Sequence, residues 1–179
     1  YKGGEDCDDT TDAVWPGHPD VCGDGLDNDC DGITDPCSIG ATLLGTAAGD
    51  RLGESLSSIG DFDGDGFDDF AVSASRASAT GSAEGAVYVL TGVVSGAGAA
   101  SASASVTFTG ANSYDFLGTV TGIGDIDGDG YDDIAMGATG YDSSTTDVGA
   151  LYVHYGPELG AVSLSTGADV LMYGERAYD

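Results

Sequence analysis

Apolar residues in this chain come in short runs fenced by Gly, Asp and Ser. Ala86-Val87-Tyr88-Val89-Leu90 and Ala150-Leu151-Tyr152-Val153 are β-branched and aromatic runs that follow Gly. Phe70-Ala71-Val72 and Ile134-Ala135-Met136 follow directly on Asp-rich turns, and Leu56 to Ile59 and Val120 to Ile123 lead into the same turns. Val106-Thr107-Phe108 and Val170-Leu171-Met172 supply a fourth run to each set. Nothing carries strong helical periodicity, so the pattern predicts an all-β chain of short strands, about four per set. The low-complexity stretch SGAGAASASAS (95–105) aligns with 159–169, which contains the more strand-like AVSLS. It fits either a poor outer strand or a loop.

The two sets are repeats. ATLLGTAAGDRLG (41–53) matches VTFTGANSYDFLG (106–118), and EGAVYVLTG (84–92) matches VGALYVHYG (148–156). VLMYGERAYD (170–179) lines up again with 106–115 at an offset of 64. The sequence thus divides into a unit at 1–38, a repeat at 41–105, a second at 106–169, and the start of a third at 170–179. Four strands in a unit of this length indicate a propeller blade or a similar array. Blades bury their faces on neighbours, so two alone are expected to leave both outer faces bare.

The Asp-rich turns share one frame. Residues 61–69 read DFDGDGFDD and 125–133 read DIDGDGYDD, while 27–35 hold a looser DNDCDGITD. Asp stands at positions 1, 3, 5 and 9, Gly at 6, and a large apolar residue at 7. Alternate carboxylates converge on one point, the Gly permits a sharp turn, and position 7 offers its carbonyl, as a calcium loop requires. The expected ligands are Asp61, Asp63, Asp65, the Phe67 carbonyl and Asp69, then Asp125, Asp127, Asp129, the Tyr131 carbonyl and Asp133. A third, looser set is Asp27, Asp29, Asp31, the Ile33 carbonyl and Asp35, with Asp8, Asp9 and Asp12 as further oxygen donors. Asp68 and Asp132, at position 8, are expected to face solvent. The Glu that closes an EF-hand at position 12 is replaced by Val72, Met136 and Ser38, so no EF-hand helices are expected.

Charge sharpens this picture. Four Lys/Arg stand against 31 Asp/Glu, a net charge of −27. Such a chain repels nucleic acid and anionic membranes. More than half of the Asp fall within the three frames, where bound cations turn repulsion into cross-links and contribute to folding. No run of 18 apolar residues exists, so no membrane insertion is expected. The chain begins at Tyr1 without a signal-peptide pattern, which fits a processed fragment.

Cys7, Cys22, Cys30 and Cys37 all lie in the Asp-, Gly- and Pro-rich first unit, which has a minimal core around Trp15. An even count in so small a unit favours two disulfides and an oxidising compartment, with three connectivities open. No C-x-x-C pair is present, and the surrounding Asp suit a hard ion better than zinc. His18, near Trp15, keeps a copper-type site open. His154, at a strand end, is expected to play an ordinary structural role.

The first unit resembles the Asp/Cys-rich MopE-like metal-binding motif of secreted bacterial proteins, through C-D-D at 7–9, P-G at 16–17 and VCGDGLDNDCDG at 21–32. Residues from about 41 resemble the FG-GAP repeat of the integrin α-subunit β-propeller. The carrying residues are Leu52-Gly53 and Leu117-Gly118, the Gly-Asp before each loop, the loops, and Ser73-Ala74-Ser75 and Gly137-Ala138-Thr139 in the "GAP" place. Leu replaces the usual Phe, and the "GAP" proline is absent from both repeats. The resemblance implies four-stranded blades with a calcium ion in the loop between the first two strands.

The expected fold is therefore tandem propeller-type blades behind a small disulfide-rich calcium-binding module. The expected function is non-enzymatic: an extracellular, calcium-stabilised structural or adhesive protein, with two calcium sites and a third in the first unit. Its expected partners are other copies of itself, added head-to-tail into a filament through an incomplete blade, or cell-surface and matrix components. The alternatives are an accessory propeller of a secreted hydrolase and an integrin-like cell-surface ligand binder. No G-x-S-x-G or H-E-x-x-H motif is present, and carboxylates committed to cations cannot serve as a glycosidase pair.

Overall fold

The computed structural model describes residues 41–78, 82–91, 96–143 and 147–175. The first unit, with its four cysteines, Trp15, His18 and the 27–35 frame, lies outside the described residues. In chain order the strands are β1 (Ala41–Leu44), β2 (Leu52–Gly60), β3 (Asp69–Ala74), β4 (Ala86–Leu90), β5 (Gly96–Ala99), β6 (Val106–Thr109), β7 (Leu117–Gly124), β8 (Asp133–Ala138), β9 (Ala150–His154), β10 (Gly160–Ser163) and β11 (Val170–Tyr173). One short helix, α1 (Ala100–Ser103), interrupts them.

The strands form two antiparallel four-stranded sheets, β2-β3-β4-β6 and β7-β8-β9-β11. Each sheet takes its fourth strand from residues that the sequence repeat assigns to the following unit. β6 pairs with β4, Val87 opposite Phe108, and β11 pairs with β9, Leu151 opposite Met172. The segment 170–173, expected to open a third blade, instead closes the second sheet. A periodic sequence can be cut at any phase, and here strand pairing sets the cut one strand later.

β2 and β7 carry matched irregularities in register, at Leu52/Leu56 and Ser58/Gly60 and at Leu117/Thr119 and Gly122/Gly124. The second of each pair sits at a Gly with left-handed backbone, Gly60 (φ 71°) and Gly124 (φ 72°). These bulges turn the chain into the Asp-rich loop that follows.

The core lies between the sheets. Ala71, Val87, Val89, Val106 and Phe108 of the first pack against Val120, Ile134, Met136, Ala138 and Tyr152 of the second. Ser55 adds a polar tie: its hydroxyl accepts from the Val120 N–H at 3.2 Å. The strand-like 160–163 becomes β10, which pairs in parallel with β6 and so extends the first sheet with a strand from the second repeat. Its successor Leu164 is buried in the core.

The outer faces differ. On the first sheet, Val72, Ala74, Ala86, Tyr88 and Leu90 pack with Leu43 of β1, Ala100 of α1 and Ala104. The low-complexity stretch has thus become a strand and a helical turn, with β5 paired to β1. The first outer face is covered rather than bare. The second is not: Leu151 and Met172, which correspond at the 64-residue offset to the fully buried Val87 and Phe108, are 39% and 50% exposed.

Candidate metal centre

The two Asp-rich loops join the first and second strands of each sheet, β2 to β3 and β7 to β8. Both turn on glycines with left-handed backbone at positions 4 and 6: Gly64 and Gly66 (φ 78° and 92°), and Gly128 and Gly130 (φ 82° and 100°). Those conformations are costly for residues with a Cβ. The turns aim backbone N–H groups inward at the carboxylates. In the first loop Asp61 Oδ2 accepts from Gly66 N–H (3.0 Å), Asp63 Oδ1 from Asp65 N–H (3.1 Å), and Asp65 Oδ1 from Phe67 N–H (2.9 Å). In the second, Asp125 Oδ1 accepts from Gly128 and Asp129 N–H (2.6 and 3.1 Å) and Asp125 Oδ2 from Gly130 N–H (3.0 Å). Asp127 Oδ1 accepts from Asp129 N–H and Asp129 Oδ1 from Tyr131 N–H.

These bonds fix the carboxylates without saturating them. Oxygens of Asp61, Asp63 and Asp65 lie within 4.8 Å of one another, as do those of Asp125, Asp127 and Asp133. The loops thus gather different members of the expected sets. Asp69 is buried and binds the Phe62 N–H at 3.0 Å, and Asp129 is held by the Tyr131 N–H. Asp133 is fully buried, with Oδ2 on Ile126 N–H and Oδ1 on Gly156 N–H.

Two observations test whether a hard cation fits. Asp61 Oδ1 is buried without a hydrogen-bond partner, an arrangement that costs free energy unless something else satisfies it. The Asp127 carboxyl is raised from its ordinary value, by desolvation and, against the Asp129 N–H, by the charges of Asp129, Asp133 and Asp125. An oxygen-only donor set with unspent lone pairs and mutual repulsion suits a divalent cation such as calcium.

The position-8 residues depart from expectation. Asp68 is exposed, but Asp132 is half-buried and faces the first loop. Its Oδ2 accepts from Asp61 N–H at 2.8 Å, and its own N–H donates to the Asp61 carbonyl at 3.1 Å. The Tyr131 ring lies over Gly64, and Gly60 leaves room for the Asp132 carboxylate; a Cβ at either glycine would collide. Nothing in the loop sequence separates Asp132 from Asp68. Among the described residues, only the second loop's position-8 residue has another loop in front of it.

His154 is buried, with Nδ1 3.0 Å from the Gly167 carbonyl and 3.1 Å from Asp169 Oδ2, and its ring edge-on to Phe108. It belongs to neither group of converging carboxylates.

A family model for the FG-GAP repeat matches residues 52–90 and 117–154, each match running from the first strand of a sheet through its third. The Cu-binding MopE model, a metal-binding motif, matches residues 6–36. Integrin alpha-4 of Xenopus laevis is 37% identical over 95 residues, a match that covers 52% of this chain and 9% of that protein. The chain therefore spans under a tenth of the relative's length.

Proposed function

We propose that this chain, which carries two FG-GAP repeats behind a MopE-type metal-binding motif, is a calcium-stabilised, integrin-like propeller segment that works outside the cell as a non-enzymatic structural or ligand-binding module. The observation that carries this reading is the convergence of three carboxylates in each loop, with one Asp61 oxygen buried and unpartnered. Calcium in the first loop is held by Asp61, Asp63, Asp65, Asp69 and the Phe67 carbonyl, and in the second by Asp125, Asp127, Asp129, Asp133 and the Tyr131 carbonyl. Each ion ties a sheet's first two strands together at the bulge. No helix among the described residues is long and apolar enough to cross a membrane.

Calcium removal tests this reading. Sites in extracellular modules have dissociation constants of about 10⁻⁴–10⁻³ M. At ~1 mM free calcium a site at the tighter end adds about 1.4 kcal/mol, and two such sites about 3 kcal/mol. Chelation is then expected to lower the melting temperature by roughly 6–12 °C at this chain length. A melting temperature that does not respond to chelation or to calcium return overturns the reading.

Self-association is a second reading, favoured by the open face of the second sheet with Leu151 and Met172. On the first sheet the matching positions seat another sheet, so this face suits a further blade. The covered opposite face limits such growth to one end, and the 170–173 strand is already spent on β9. A discrete dimer fits better than the expected filament. Sedimentation would separate the two: a concentration-dependent dimer supports the face as an interface, and a monomer at all concentrations removes it.

A further inference from the structure

The two Asp-rich loops touch through two consecutive residues of the second, Tyr131 and Asp132, and Asp133 follows them directly. Asp133 belongs to the converging carboxylates of the second loop. One peptide bond away, the Asp132 carboxylate holds the N–H of Asp61, the first carboxylate of the other loop, while the Asp132 N–H holds the Asp61 carbonyl. Two residues back from Asp133, the Tyr131 ring covers Gly64, at position 4 of the first loop. The same short segment thus presents one side to its own loop and the other to its neighbour's. In the first loop the corresponding residues, Phe67 and Asp68, are exposed.

We propose that Asp132 is a latch that couples the two cation sites, so that filling the second loop prepares the first. The proposal rests on the reading that both loops bind calcium. Oxygens of Asp125, Asp127 and Asp133 lie within 4.8 Å of one another, so without a cation these carboxylates repel. Asp133 is already buried with both oxygens hydrogen-bonded, and a cation shared by Asp125, Asp127 and Asp133 holds it there and steadies the adjoining Asp132. Asp132 then holds the Asp61 backbone and so aims the Asp61 carboxylate. The coupling is reciprocal in binding free energy, whichever site fills first. Asp132 is a positioning residue: its carboxylate is taken up by the Asp61 N–H, not offered to either ion.

The experiment is a calcium titration of the full chain followed by amide NMR. The Gly66 N–H, bonded to Asp61, reports the first loop, and the Gly130 N–H, bonded to Asp125, reports the second. The second site is weakened by the double substitution Asp127→Asn/Asp129→Asn, at two exposed positions. The Gly66 midpoint is then expected to move to higher calcium by at least about fivefold, the lower end of typical coupling. Asp132→Asn keeps an acceptor oxygen for the Asp61 N–H and is expected to preserve the shift. Asp132→Ala removes it: its Gly66 midpoint starts high and no longer responds to the second loop. A Gly66 midpoint indifferent to the second loop in the unsubstituted background overturns the latch, and so does coupling that survives Asp132→Ala. If neither glycine responds to calcium, the binding reading itself fails, and the latch with it.

Discussion

Phe108→Ala probes the packing that makes two sheets one body. Phe108 is fully buried on β6, opposite Val87, and its ring meets the His154 ring edge-on at 4.9 Å. It touches residues of both repeats, so nothing local can fill the space it leaves. The transfer term for a buried Phe is about 1.5–3 kcal/mol. The residual cavity and the lost ring contact raise the expected cost to about 3–5 kcal/mol. At 2–4 °C per kcal/mol, the melting temperature should fall by roughly 6–20 °C. Met172 supplies the control, because it holds the equivalent place on the second sheet yet is 50% exposed. Met172→Ala should change stability by no more than about 0.5 kcal/mol in the monomer. Both are to be read by thermal unfolding at one fixed, saturating calcium concentration, because ligand linkage otherwise moves the midpoint. A Phe108→Ala loss under about 1 kcal/mol, or equal losses at the two positions, would refute the packing argument.

Further outcomes follow from single residues. Gly64→Ala meets both a left-handed backbone (φ 78°) and the Tyr131 ring, whereas Gly66→Ala meets the backbone term alone (φ 92°, nothing within reach of a Cβ). Denaturant unfolding should show about 1–2 kcal/mol lost at Gly66 and more at Gly64; the reverse order would contradict the contact between loops. Asp115 is buried, with Oδ2 on the Asn112 N–H and Oδ1 unpartnered, and desolvation pushes its carboxyl up, against hydrogen bonds from Asn112 and Ala111. A raised folded-state pKa means that its relative stability is fully present below the unfolded value and is lost as pH rises through the folded one. Asp115→Asn escapes that loss, so its melting temperature should gain on the parent's as pH climbs from the acid limit toward neutrality, and a constant difference would remove the assigned cause.

Much of the fold was legible because its signals are local. The apolar runs are strands where expected, since β-branched and aromatic residues after Gly leave few other options. The turns were legible from spacing, because glycines at positions 4 and 6 supply the left-handed backbone they need, whereas which carboxylates converge differs between the two loops. What escaped depends on contacts between distant residues. The repeat period gave no phase, so β6 and β11 fell to the wrong unit until their pairing fixed them. Small residues at 96–104 carry too little side chain to declare a structure, and their partners β1 and the first sheet's outer face decide it. Asp132 is the sharpest case. Its residue type and loop position equal those of Asp68, and the neighbouring loop makes it a half-buried contact rather than a solvated charge.

The central claim, that each loop is a calcium joint, is tested most directly by crystals grown with millimolar calcium and examined by anomalous scattering. The account predicts one peak inside residues 61–69 and one inside 125–133, each surrounded by the carboxylate oxygens named above at about 2.3–2.6 Å. Loops without anomalous density at that concentration, or peaks held by other residues, would contradict it.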